Sequence, residues 1–312
     1  MNYTKIAAFL ALSLGLVWLS IFIANLFILG PIGGFALGIF HLWTPGIAAF
    51  IVQKWIFQES MADYGFSRKS FGASWVLASI FLPYVLVVAV LATVFVFGNL
   101  FQLPGFGFVV LGQIDPNASF ELAGLLATYL PIDPIAMMPQ ELWIFVIIIL
   151  VAGFFFGPTL GLITSFGEEL GWRGLMLEET KQLGFFRSNL VIGSLWALWL
   201  LPQFLRTPEV SSGELYLGVL AFIGYSISFS FPLAYLSRKS KTIFGPAIFR
   251  GVFNIVGLVT IVFIWGENPM VGSATGVAGM IVFLLVTLAI VRRDPEFVEQ
   301  YAKLNYAKED EE

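Results

Sequence analysis

Two adjacent carboxylates and an arginine sit where a long apolar run ends. The stretch "SFGEELGWRG", Ser165 to Gly174, follows more than twenty residues that are almost without charge. Successive helical residues point about 100° apart, so Glu168 and Glu169 can serve different neighbours. Glu169 and Arg173 have the four-residue spacing of a helical ion pair. A glutamate shielded from water has a raised pKa, which suits it to take a proton from an attacking water. If Arg173 holds Glu169, Glu168 is left to face the reaction. A plainer reading is open too. Ser165 and Glu168 fit a capping box, acidic residues suit a helix N-terminus, and a cytoplasmic helix starting at Ser165 would use all of them structurally. The two readings differ on whether the apolar helix continues through the motif. If it does, it carries its carboxylates into a cavity within membrane depth, where ionisable groups are expensive and mark sites.

The elements that position these residues are set by composition. Of 312 residues, 58% are hydrophobic and 12% charged, and the mean hydropathy is +0.89. Ordinary soluble domains carry about 25% charged residues, so the solvent for this chain is lipid. Apolar runs of about 20 residues span a bilayer. Eight are expected, over 6–29, 36–53, 75–97, 142–164, 189–205, 215–236, 243–264 and 271–291. The fold class is thus an all-α polytopic membrane protein, one transmembrane helical domain over 1–293 with a charged tail at 294–312. The first run is too long for a signal segment and lacks a cleavage site, so it is taken as a span.

Lysine and arginine in the loops orient the bundle. With the N-terminus inside, Lys54, Arg68, Lys69, Arg173, Lys181, Arg187, Arg238, Lys239, Lys241, Arg292 and Arg293 face the cytoplasm, and only Arg206 falls outside. Both termini are then cytoplasmic. The extracytoplasmic loop 98–141 has Asp115, Glu121, Asp133 and Glu141 but no lysine or arginine. A sequon at Asn117 is read as chance. Gly153, Gly157 and Gly161 recur every four residues, which lets a neighbouring backbone approach closely; Gly34 and Gly38 repeat the pattern more weakly. There is no cysteine, hence no disulfide, thiolate metal site or cysteine nucleophile. The small net charge of −4 gives no sign of a nucleic-acid partner, and none is expected.

Three motifs carry a resemblance. "GEELGWRGLMLEE", "NLVIGSLWALWLLPQF" and "GPAIFRGVFN" look like the core of the CPBP family, the intramembrane CAAX proteases and bacteriocin-processing enzymes. The similarity covers about 160–256, and "TPGIAAFIV" from Thr44 to Val52 resembles the family's second helix. In the family the leading Glu of the first motif activates water. Histidines from the second and third motifs, with an Asn four residues after the latter, complete the site. Here Glu168, Glu169 and Arg173 match the first motif and Asn254 the Asn of the third, whereas Leu200 and Arg250 stand at the two histidine positions.

Those substitutions alter the chemistry. Leu200 neither binds metal nor moves a proton, and Arg250 is a permanent cation with donors only. His41, the one histidine of the chain, is expected toward the outer side, as a packing residue. A zinc site needs three or four ligands, so although the resemblance allows a divalent metal, no metal and no other cofactor are expected. Arg250 is expected to bridge to Glu168 or Glu169; the alternative is a side chain snorkelling to the headgroups. Trp196 and Trp199 are read as packing aromatics.

The resemblance implies an intramembrane CAAX-type endopeptidase acting on prenylated or hydrophobic protein segments. The lost histidines imply an impaired catalyst, a pseudoenzyme. The alternative is a non-catalytic scaffold of the same fold that binds a membrane protein or lipidated peptide. A transporter is a third reading, disfavoured because repeats and paired broken helices are missing. The expected location is the plasma membrane.

Overall fold

In hydrocarbon every backbone N–H and C=O needs a partner within its own segment, so an apolar chain of this kind folds as helices. A computed structural model describes residues 1–26, 30–65, 73–111, 142–205 and 215–304. The expectations for Arg68, Lys69, Asp115, Asn117, Glu121, Asp133, Glu141 and Arg206, and most of the 98–141 loop, lie outside these residues. The main helices are α1 (Tyr3–Leu26), α2 (Pro31–Phe50), α3 (Ala73–Val94), α4 (Leu142–Phe156), α5 (Leu162–Glu169), α6 (Leu177–Thr180) and α7 (Gly184–Phe204). They are followed by α8 (Leu215–Ser240), α9 (Phe244–Val256), α10 (Leu258–Phe263), α11 (Pro269–Gly272), α12 (Val277–Arg293) and α13 (Pro295–Gln300).

Seven segments among the described residues are long and apolar enough to cross a membrane, where the sequence reading expected eight. The chain is an integral, multi-pass membrane protein in a lipid bilayer. The difference in number comes from one stretch, Trp143–Pro202, which is 60 residues long and takes in most of both the expected fourth and fifth spans. A straight helix of that length would measure about 90 Å, three times the hydrocarbon core. Helical turns run on through α6 and a 3₁₀ turn at Lys181–Leu183, so helical continuity joins two runs that hydropathy separates. The helical course breaks at Gly184, whose φ of +79° and ψ of 171° no helix accepts.

The glycine stripe determines which helix lies against which. A Cβ at Gly153 would come within 2.4 Å of Val256 Cγ1, one at Gly157 within 2.7 Å of Val252 Cα, and one at Gly161 within 2.8 Å of Gly251 Cα. The stripe is therefore the seat of α9, as the close-packing reading expected. The weaker repeat plays no such part at Gly34, where an added Cβ would meet nothing within 4 Å. The span containing α9, Phe244–Phe263, is the interior one: 72% of its apolar window is buried, against 22% for the first span. Outside the helices, Phe108–Val109 pairs antiparallel with Ile264–Trp265, and Asn99 braces that ribbon through both backbone groups of Val109.

Beyond the last span, Asp294 accepts from the Phe297 amide and starts α13. Phe297 and Tyr301 are buried against Phe185, Phe231 and Ile290 in a second core cluster. The charged segment thus packs back onto the bundle as far as Leu304.

Candidate functional site

The apolar helix does continue through the motif. α4 passes into α5 by a π-helical piece at Gly157–Gly161, and α5 passes into α6 by another at Leu170–Met176. Pro158 explains the first, because a proline has no N–H to give to the regular ladder and a wider turn absorbs the gap. Ser165 lies inside α5, buried, with its Oγ unbonded. No capping box forms, and the plainer reading of the motif fails on that geometry. Residues 165 and 167 to 177 are all buried.

Four charges then meet in the interior. The Arg250 guanidinium donates through Nη1 to Glu169 Oε1 at 3.0 Å and through Nη2 to Glu168 Oε1 at 2.9 Å. Its Nη1 is also 2.8 Å from Glu168 Oε2. Arg173 Nε lies 3.3 Å from Glu169 Oε2, the i to i+4 pair expected from spacing. Trp196, reaching in from α7, donates Nε1–H to Glu168 Oε2 at 3.0 Å. Its ring also carries both cations, with the Arg173 and Arg250 guanidinium carbons 5.0 and 4.8 Å from its centroid. Two carboxylates and two guanidiniums cancel, as burial requires, since an unpaired charge removed from water costs several kcal/mol. Arg250 bridges both glutamates, and its side chain is only 8% exposed. A side chain so enclosed is not snorkelling.

Glu168, Leu200, Arg250 and Asn254 border one cavity of about 250 Å³. The sequence-matched positions from three motifs thus converge, although they lie on α5, α7 and α9. Asn254 is exposed and, among the described residues, makes no side-chain hydrogen bond. Glu169 and Arg173 stand behind Glu168, away from the cavity lining. His41 stands on α2, apart from the ionic cluster. Its helix α2 runs along α5, with Trp43 Nε1 donating to Ile163 O at 2.9 Å and Gly46 pressed against Gly167. The imidazole nevertheless does not line the cavity. Its Nδ1 is 3.0 Å from Ser20 Oγ, and its ring is 5.3 Å from that of Trp199. Since Ser20 donates its own hydrogen to Val17 O, the network assigns the imidazole proton to Nδ1.

A divalent metal does not fit these residues. Both carboxylates are already engaged by guanidinium, and Leu200 offers no lone pair. No group of three or more His, Cys, Asp or Glu among the described residues could hold an ion.

Sequence reasoning missed Trp196, which it read as packing. The available signal was spacing: Trp196 is four residues before Leu200 and so shares its helix face. It also missed that Trp199 donates Nε1–H to Thr44 Oγ1 at 3.1 Å, tying α7 to the start of the "TPG" segment.

Residues 139–256 match the family model described as type II CAAX prenyl endopeptidase Rce1-like. The match contains the acidic motif, α7 and α9, and leaves α1 to α3 and the C-terminal part outside it. Over those residues, less than half of the chain, the protein is similar to that family. No curated protein matches the chain.

Proposed function

We propose that this chain keeps the CAAX-endopeptidase fold with its hydrolytic site closed, and serves in the plasma membrane by binding a membrane protein or lipidated peptide without cutting it. One observation carries the reading: the Arg250 guanidinium spans Glu168 and Glu169, and the resemblance assigns its position to a family histidine. A general base must offer a lone pair to water. Three of the roughly four acceptor sites of Glu168 are engaged, Oε1 by Arg250 and Oε2 by Arg250 and Trp196, and what is left lies beside a fixed cation. The second histidine position, Leu200, supplies no proton donor. Each lost acid or base is worth about 10²–10⁴ in rate. In place of water activation the site offers a neutral, rigid polar floor under an apolar cavity.

The test is cleavage of a farnesylated reporter peptide in membranes, comparing the unaltered chain with Glu168→Ala. Background turnover in both is expected. Turnover that disappears in Glu168→Ala would mean that the peptidase is active and sink the reading. A second arm restores the missing groups with Leu200→His and Arg250→His together, and glutamate-dependent turnover is expected to rise from background.

A further inference from the structure

The cavity beside the ionic cluster has a composition that selects a ligand. One wall is apolar: Leu42, Leu200 and the pair Phe204 and Phe222, whose rings are stacked at 4.6 Å. The polar side is neutral and partly unused. Most of the acceptor capacity of Glu168 is engaged by Arg250 and Trp196, and the Thr164 hydroxyl is committed to Gly161 O at 2.9 Å. Ser165 Oγ, in a side chain only 1% exposed, has no hydrogen-bond partner. The Asn254 amide is exposed in the middle of a membrane-length helix. An amide left unpaired in an apolar medium costs about 1–3 kcal/mol on mutational scales, so these groups favour a guest that can bond to them.

The guest must be uncharged, because the four buried charges already cancel and a fifth would be uncompensated. It must present an acceptor to the Asn254 N–H and follow it with apolar surface. Size bounds it as well. A cavity of about 150 Å³ takes benzene, so the 250 Å³ here holds about ten non-hydrogen atoms. We propose that this cavity is a binding site for one uncharged carbonyl-bearing amphiphile, a fatty amide or ester, with its carbonyl on Asn254 and its chain against Leu200, Phe204 and Phe222. The proposal rests on the reading that Arg250 closes Glu168 off, since an open glutamate would add an acceptor and a charge to the same wall.

The test uses the full chain in detergent micelles, titrated with octanamide, octanoate and octane while thermal unfolding is followed. Octanamide is expected to raise Tm saturably, with octanoate and octane giving little shift. Asn254→Leu is expected to weaken octanamide about fivefold, the worth of one hydrogen bond. Leu200→Trp, which fills the space, is expected to abolish the shift; if it fails to fold, Asn254→Leu still decides. Equal shifts from octanoate, an undiminished shift in Asn254→Leu, or no shift from octanamide would each overturn the proposal. So would a shift from acetyl-leucine methylamide alone, which would assign the cavity to a peptide carbonyl. Reporter cleavage is scored separately: cutting would defeat the closed-site reading, whereas absent octanamide binding without cutting would defeat only this one.

Discussion

Arg250 is the residue on which the interior depends. Removing one partner of a buried ion pair costs about 3–5 kcal/mol because the other is stranded, and here two carboxylates share one guanidinium. Arg250→Ala is therefore expected to lower Tm sharply in detergent; an unchanged Tm would mean that the bridge carries no stability. Trp196→Phe isolates a smaller effect. It keeps an aromatic surface but deletes the N–H bonded to Glu168 Oε2, for an expected loss of about 1–3 kcal/mol. A loss within error would return Trp196 to the packing role that its sequence suggested. That pairing was hard to read beforehand, since an indole in an apolar helix gives the same pattern whether its N–H is used or not. Glu168, Glu169 and Arg173 were legible because charges at membrane depth have few innocent explanations.

Among the elements, the contact between α4, its π-helical continuation and α9 brings the acids to the base. Gly161 and Gly251 meet backbone to backbone, and α9 cannot move outward without taking Arg250 out of reach. Gly251→Val is expected to destabilise the bundle and loosen the Arg250 bridge, through overpacking of about 1–3 kcal/mol or more. Native-like Tm in that variant would show that the contact yields cheaply. The four-residue glycine spacing announced a close neighbour but not which helix it would be, because spacing carries no information about a partner 90 residues away. The same limit explains the number of spans. Hydropathy registers the apolar runs on either side of 165–188, while the helical geometry joining them depends on turns such as Lys181–Leu183 and on the single positive φ at Gly184.

For the whole molecule, several ion pairs join separate elements among the described residues. Lys5, at the cytoplasmic end on the expected topology, meets Glu59 and Glu179, Arg238 meets Glu178, and Lys239 meets Asp294. Asp294 fastens α13. The Lys239 ammonium beside it, with a hydrogen bond from Tyr235, holds its carboxyl below the usual carboxylate range. A depressed folded-state pKa stabilises above the unfolded value and is lost as pH falls through the folded one. Protection of residues 295–303 from hydrogen exchange is thus expected to persist at neutral pH and to decline below about pH 4. Equal protection at both would remove Asp294 as the fastener.

The spread of the ionic cluster along the chain also sets an order of assembly. Arg250 follows Glu168 by 82 residues, so both acids leave the ribosome well before their shared counter-ion. Arg173 can attend to Glu169 at once, but Glu168 waits for α9. Nascent chains halted before Phe244 should therefore be retained and degraded, while chains released after Val256 mature, a difference that pulse-chase labelling would reveal.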